Sequence, residues 1–323
     1  MVSSSFLRAP GGEMMGNHGL YPGQEPFSRT VVTVGNFDGV HLGHRAILSL
    51  VLKRAQELEC QPLVLTFDPH PLKVLNPQAQ FQLLTTPAQK VELLKDAGLS
   101  VLVVSFTREF AAIPAQEFVR KYFGERLKAR EVVVGHDYRF GYKRAGNIEL
   151  LKEMGQTLGF TVQVVWAVEL DSVVVSSSLI RAMLRLGKLG EANRLLGRDY
   201  GVTGQVVAGK GRGAKLLGVP TANIMPENDL LPASGIYAVR VAKDGEHLPG
   251  VANIGTCPTF DNQEELTLEV HLLGFNGDLY GERLQVDFVA RLREERRFPS
   301  IDELASQIRA DIDAARRVLA EKG

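Results

Sequence analysis

The sequence predicts an α/β protein in two parts: an N-terminal doubly wound parallel sheet, and a small C-terminal antiparallel β-barrel followed by a terminal α-helix. Three observations predict this. From Arg29 onward short β-branched runs alternate with helix-patterned stretches, the pattern of βαβ units. After Gly197 the helical stretches give way to short strand-like runs separated by Gly, Pro, Asp and Asn. From Ser300 the helical period returns. A length of 323 residues is ample for two cores.

The first part reads, in order, as a strand at Thr30 to Val34, a helix at Gly43 to Leu58, a strand at Pro62 to Phe67 and a helix at Pro87 to Ala97 ended by Gly98. A strand at Val101 to Ser105, a helix at Ala115 to Leu127, a strand at Glu131 to Val134, a helix at Asn147 to Leu158 and a strand at Thr161 to Val165 follow. Val and Leu fill these strands without polar alternation, as in a parallel sheet covered on both faces. Ligands of such sheets sit at the carboxyl ends of the strands, which directs attention to the residues after Val34, Phe67 and Val134. Ser176 to Leu186 and Gly187 to Gly197 read as helices leading to a boundary. Strands are then expected at Gly201 to Val207, Gly235 to Val241, Gly250 to Ile254, Leu266 to Leu273 and Arg283 to Ala290. The helix from Ser300 to Leu319 carries Ile301, Leu304, Ile308, Ile312, Ala315 and Leu319 on one face, with Ser300 as N-cap and Glu303 at capping-box spacing. The expected division is a flexible tail at 1–28, a first domain at 29–186 and a second at 187–323.

Composition narrows the function. Lys plus Arg and Asp plus Glu each number 37, so no global positive field exists to hold a long nucleic acid by counterion release. No apolar run approaches the roughly 18 residues of a membrane span. Cys60 and Cys257 fall in different halves and make no disulfide framework, which fits a reducing, cytoplasmic setting. The sequence leaves the oligomeric state open, a homo-oligomer included.

The strongest local signal is Gly35-Asn36-Phe37-Asp38-Gly39-Val40-His41-Leu42-Gly43-His44, between the first strand and the first helix. His41 and His44, three apart at a helix N-terminus, can face one point beside free N–H groups and the positive end of the helix dipole. Gly43 lets a flat group approach the backbone closely. The arrangement suits phosphate oxygens whose charge grows in a transition state. A metal site is the competing reading, but no third ligand lies nearby and the spacing is not that of a zinc protease. A pair of helix-cap histidines is the other.

These residues resemble the HxGH signature of nucleotidyltransferases, and the longer string is similar to the adenylyltransferase half of bifunctional riboflavin kinase/FAD synthetases. Thr66-Phe67-Asp68-Pro69-His70-Pro71, Gly135-His136-Asp137-Tyr138-Arg139-Phe140-Gly141 and Val175-Ser176-Ser177-Ser178-Leu179-Ile180-Arg181 extend the likeness. The resemblance implies a Rossmann-like adenylyltransferase domain in which His41, His44 and Arg181 are catalytic. Gly35, Asn36, Phe37, Asp38, Gly43, Ser176, Ser177 and Ser178 would bind nucleotide, and Phe67, Pro69, Asp137 and Phe140 would bind flavin.

In the second part Gly209, Gly211 and Gly213 form a Gly-rich loop able to cradle a polyphosphate, though not of the Walker type. Pro220-Thr221-Ala222-Asn223 resembles the riboflavin kinase signature, which implies that Thr221 and Asn223 hold the magnesium of ATP. Leu268-Glu269-Val270-His271 resembles the strand whose Glu is the general base for the ribityl hydroxyl, here Glu269. Departures from the family pattern are a loop one residue longer between Arg212 and Gly218, Val219 for Phe, Gly274 and Asn276 at positions of frequent Asp, and Cys257 for Arg. The expected activity is phosphorylation of riboflavin to FMN followed by adenylylation of FMN to FAD, with ATP, magnesium and the flavins as the ligands. An FAD synthetase with a decayed kinase, a non-catalytic flavin or nucleotide sensor, and an HxGH transferase for another acceptor are the alternatives.

Overall fold

The computed structural model describes residues 27–79, 81–208, 220–243, 245–258 and 264–322. Most of the expected tail, 1–26, therefore lies outside the described residues. Phe27, assigned to that tail from sequence, is instead buried in the N-terminal core.

Five parallel strands form the first sheet in the order β3-β2-β1-β4-β5: β1 (Thr30–Val34), β2 (Gln61–Asp68), β3 (Ser100–Ser105), β4 (Ala129–Gly135) and β5 (Thr161–Val165). All five strands were legible as apolar runs because both faces of the sheet are covered. Val32, Val34, Leu63, Leu65, Val132 and Val134 face one core, built with Phe118, Tyr122 and Phe123. Val31, Val64 and Val133 face the other, built with Leu48, Val51 and Ala55 of α1 (Leu42–Glu57) and Leu94 of α3 (Pro87–Asp96). The order changes direction between β1 and β4, which opens the crevice where α1 begins.

Several local elements differ from the sequence reading. A short helix α2 (Pro71–Leu75), started by the imidazole cap of His70, was not expected. The helix expected at Ala115 to Leu127 is a short α-helical turn, α5 (Ala115–Phe118), after α4 (Arg108–Ala111), and continues as wider π-helical turns over Val119–Arg126. Its aromatic residues Phe118, Tyr122 and Phe123 pack at 5.0 to 5.5 Å between ring centres, so packing of bulky rings sets the winding. A two-stranded hairpin, β6 (Glu169–Leu170) with β7 (Val173–Val174), follows α6 (Ile148–Leu158) and precedes α7 (Ser177–Arg185).

After α8 (Leu189–Leu196) six antiparallel strands close a barrel in the order β10-β11-β12-β9-β8-β13. They are β8 (Tyr200–Val207), β9 (Ala222–Pro226), β10 (Gly235–Lys243), β11 (Glu246–Pro258), β12 (Glu264–Leu272) and β13 (Arg283–Arg293). Sequence gave five of these; β9 is the addition. The last helix, α9 (Ile301–Glu321), starts at Ser300, whose hydroxyl accepts the Glu303 N–H as the capping spacing predicts. Ile180 and Leu184 of α7, Leu195 and Leu196 of α8 and Leu84 of the N-terminal half share one apolar core with the barrel interior. The two halves therefore meet through a continuous core.

One ion pair fixes α1 on the sheet. Glu131 of β4, 1% exposed, accepts Arg54 Nε at 2.6 Å, Arg54 Nη2 at 3.1 Å and the Thr161 hydroxyl at 2.8 Å. Burial pushes the Glu131 carboxyl up, but these donors outweigh it and hold the group below its ordinary value. Removing Arg54 strands a buried acceptor. Arg54→Met is expected to lower the thermal unfolding midpoint clearly more than Lys53→Met, on the exposed face of the same helix.

Candidate active sites

The first site forms where β1 passes into α1. The connecting loop turns through left-handed backbone at Phe37 (φ 50°), Gly39 (φ 81°) and Val40 (φ 40°). Such a φ costs a β-branched valine on the order of 1–3 kcal/mol, so the surroundings must hold it in place. At Gly39 a side chain is excluded twice over, since a Cβ there would stand 2.7 Å from Leu84 Cδ1. The Gly39 N–H donates to the Thr85 hydroxyl, Ser177 Oγ donates to the Asp38 carbonyl at 2.9 Å, and Arg198 Nη1 donates to the Val40 carbonyl.

Asp38 stands at the centre. Its carboxylate, 4% exposed, accepts the N–H groups of Leu84 and Thr85 at 3.0 to 3.2 Å, the Thr85 hydroxyl at 3.2 Å and Arg181 Nη2 at 2.5 Å. Arg181 also donates Nε to the Gln82 carbonyl at 2.8 Å and lies 4.3 Å over the Phe81 ring. This alters the sequence expectation for both residues. The Asp38 carboxylate is met by internal donors, and Arg181 places Nε on the Gln82 carbonyl and Nη2 on Asp38, so its guanidinium is held at the loop rather than swinging freely.

His41 caps α1, its Nδ1 accepting the His44 N–H at 3.3 Å, and the two imidazoles stack at 3.6 Å with 15° between planes. Because Nδ1 accepts, the proton of the neutral His41 ring belongs on Nε2. Burial lowers the His41 pKa to about 4, the Asp38 charge opposing and the Arg198 and Arg181 charges assisting. Burial, followed by His41 and Arg198, holds His44 well below its ordinary value too. Gly43 makes room for a flat group, as its type suggested, but that group is the His41 ring: a Cβ at position 43 would meet it at 3.2 Å.

Ser176 caps α7 by accepting the Leu179 N–H, and Ser178 is exposed. Gly35 lies against the Phe37 ring, and the Asn36 carbonyl accepts the Thr66 hydroxyl at 3.3 Å. Phe67 ends β2 within an aromatic cluster, 5.4 Å from Phe106 and 5.7 Å from Phe110; Pro69 and Asp137 are exposed at the strand ends. Phe140 is different. It is 6% exposed, stacked on Tyr138 and packed near Phe118, which makes it core rather than a surface for a ligand. Sequence reading missed Arg198, which reaches the loop from beyond α8, and Lys90, a buried lysine whose Nζ donates to the Phe67 carbonyl at 2.8 Å. Neither sits in a motif that would have singled it out.

The second site is on the outside of the barrel. Asn223 of β9 pairs with Glu269 of β12, Glu269 with Asn253 of β11, Asn253 with Ile236 of β10, and Ile236 with Arg293 of β13. The residues between them, such as Ile224, Leu268, Val270, Ala252 and Tyr237, fill the interior, so this row faces outward. Glu269, Asn253, Ile236 and Arg293 of this row border a cavity of about 740 Å³ between the barrel wall and the start of α9, lined also by Thr221, His271 and Phe298, while Asn223 lies beside Glu269 and outside the lining. That size suits a small organic ligand. His271 Nδ1 lies 2.8 Å from the Pro220 carbonyl and fixes the approach of Thr221. Arg293 forks onto Asp311 of α9 at 2.7 to 3.2 Å, and the Phe298 ring lies 5.7 Å from the Arg293 guanidinium and 4.8 Å from that of Arg296. Asn253 Oδ1 is buried with no hydrogen-bond partner among the described residues. Gly209, Gly211 and Gly213, with the longer loop through Val219, lie outside the described residues.

A parallel-sheet unit with two stacked histidines at a helix N-terminus, joined to a closed barrel with a carboxylate and hydroxyl and amide oxygens on one wall, defines a two-site phosphate-transfer enzyme. Comparisons agree: residues 24–179 match the FAD synthetase family model and residues 196–319 the riboflavin kinase model. The chain is 40% identical over 290 residues to the bifunctional riboflavin kinase/FMN adenylyltransferase of Pseudomonas fluorescens, covering 90% of this chain and 93% of the relative. It is 39% identical to the enzyme of the same name from Escherichia coli K12, covering 91% and 94%. A solved structure described as a macrolide-efflux protein from Streptococcus pneumoniae superposes with a TM-score of 0.83 at 33% identity, covering 90% of this chain and 95% of its own. Among the described residues no helix is long and apolar enough to cross a membrane. The chain belongs to the bifunctional riboflavin kinase/FMN adenylyltransferase family.

Buried neutral histidines have a measurable consequence. Between about pH 6.5 and about pH 4 the unfolded chain binds protons that the folded His41 ring refuses, so stability should fall as pH drops through that window. Nitrogen-detected NMR should show His41 titrating near pH 4, and His41→Asn with His44→Asn should make the stability profile shallower over the same range, the remaining slope including His70, whose pKa burial also lowers to about 4.

Proposed function

We infer that this protein phosphorylates riboflavin with ATP at the barrel and adenylylates the resulting FMN with a second ATP at the sheet crevice, releasing ADP and then pyrophosphate. The observation that supports both activities in one chain is the presence of two separate polar sites, each with its own donor set.

At the barrel, Glu269 orients the ribityl 5′-hydroxyl and takes its proton as the oxygen attacks the γ-phosphorus of ATP. The new O–P bond forms as the bond to ADP breaks. Thr221 and Asn223 offer hydroxyl and amide oxygens, the donor chemistry of a hard cation, and the unpartnered Asn253 Oδ1 adds an acceptor in the same row. Magnesium there would supply charge neutralisation on the β- and γ-phosphates. Phe298 and the apolar start of α9 give the cavity a side suited to a flavin ring.

In the crevice the nucleophile is the FMN phosphate, already anionic, so no general base is required. One of its oxygens attacks the α-phosphorus of ATP and the bond to pyrophosphate breaks. His41 Nε2–H and the His44 ring donate to phosphate oxygens as charge accumulates on them, aided by the N–H groups at the start of α1. Gly35, Ser176, Ser177 and Ser178 border this region, and Phe67, Pro69 and Asp137 lie on the flavin side. Arg181 acts through Asp38, which it positions.

Two variants separate the sites. His41→Asn with His44→Asn should lower FAD formation from FMN by a factor on the order of 10²–10³ or more and leave FMN formation from riboflavin intact. Glu269→Gln should do the reverse, by a factor on the order of 10²–10⁴. Both are read by chromatographic separation of flavins, starting from riboflavin in one assay and FMN in the other; loss of both activities in either variant would contradict the division of labour.

A further inference from the structure

We propose that the barrel is part of the adenylyl-transfer machinery, with Asn228 as a positioning residue for that reaction. The proposal rests on the reading of the crevice as the adenylylation site. Asn228 follows β9, five residues beyond Asn223, and is 6% exposed. Its Oδ1 accepts the Thr203 N–H at 2.9 Å, and its Nδ2 donates to Gln89 Oε1 at 2.8 Å and to the Leu84 carbonyl at 3.4 Å. The next residue grips the same segment: the Asp229 carboxylate accepts the Leu83 N–H at 3.1 Å and Lys73 Nζ at 2.6 Å, while the Asp229 carbonyl accepts Gln82 Nε2 at 2.8 Å.

Residues 82–86 thus form a strap with two sides. One side is bonded to the barrel through Asn228 and Asp229. The other supplies the Leu84 and Thr85 N–H groups to Asp38, the Gln82 carbonyl to Arg181 and the Thr85 hydroxyl to the Gly39 N–H. Leu84, fully buried, presses on Gly39 from the same segment. The loop it steadies holds Val40 in strained backbone one residue before His41. Loss of Asn228 takes their side-chain partner from the Leu84 carbonyl and the Thr203 N–H and leaves Gln89 Oε1 with the Thr86 N–H alone, and the strap relaxes at the point that sets the donor geometry of the two histidines. A misplacement of about 1 Å in such geometry costs about a hundredfold in rate.

The test uses the full-length protein and measures kcat and KM for FAD formation from FMN and ATP with magnesium, riboflavin phosphorylation, thermal unfolding and the His41 NMR titration. In Asn228→Ala, kcat for FAD formation should fall about tenfold to a hundredfold. Riboflavin phosphorylation should stay within about twofold, as for a distant independent site. The His41 titration midpoint should rise from its value near pH 4 as the loop admits water. A purely structural role would lower both activities together with the unfolding midpoint and leave the histidine midpoint of the folded fraction unchanged, and that result overturns the proposal. So does a wild-type kcat for FAD in the folded variant. Should Asn228→Ala not fold, Asp229→Ala, at a partly exposed position that grips the same strap, decides on the same terms: unchanged FAD formation overturns the proposal. Absence of FAD formation from FMN by the unmodified protein would instead overturn the reading of the crevice itself.

Discussion

Burying a carboxylate is costly unless donors surround it, and the N-terminal site is organised around meeting that demand for Asp38. Two backbone N–H groups, one hydroxyl and one guanidinium converge on it from residues 84, 85 and 181. Those donors come from a segment between β2 and β3 and from α7, so a single side chain ties two separate parts of the chain to the loop after β1. The backbone strain at Phe37 and Val40 is sustained by these ties. Without them the loop has no reason to adopt the turn that starts α1 with stacked imidazoles.

The barrel solves a different problem. Its interior is filled by alternate residues of every strand, so any chemistry must use the outward set, which water would otherwise flood. The cover is α9 and the segment that leads into it. Arg293 on the wall and Asp311 on the helix form a forked pair, and the Gln307 amide donates to the same carboxylate at 2.8 Å, so the lid of the cavity is pinned by planar, directional bonds. The result is a pocket with one polar wall, which carries Glu269, and one mixed apolar and cationic wall, which carries Phe298. A ligand with a hydroxylated chain and a flat ring fits such a division.

What could be read from sequence followed from periodicity and from compact motifs. Parallel strands with both faces buried announce themselves as apolar runs, and His41 with His44 stood out because a Gly-rich turn and a helix start surround them. Strand β9 escaped notice because Ala222-Asn223-Ile224-Met225-Pro226 has neither a β-branched run nor clean alternation. Phe140 and Arg181 belong to motifs that point to ligands, while the fold packs Phe140 into the core and ties Arg181 to Asp38 and Gln82. The strap was invisible for a stronger reason: its function lies in backbone N–H and carbonyl groups, which every residue owns, and its far anchor is 144 residues from Leu84. Only the tertiary structure brings those groups together.

On the proposed reading of the crevice, the neutrality of the two histidines also has a catalytic logic. A cationic imidazolium would attract the triphosphate of bound ATP about as strongly as it attracts the transition state, and such uniform binding leaves the chemical step no faster. A neutral N–H donor is weaker at long range but depends sharply on distance and angle, so it rewards the oxygen geometry that appears only as the α-phosphorus is attacked. Burial enforces that neutrality, with His41 held near pKa 4, and burial in turn requires a loop rigid enough to keep the stacked rings from turning to water. On that reading the chemistry at the crevice depends on how firmly the loop is held, and Asn228 and Asp229 of the other half hold the segment that bonds to it.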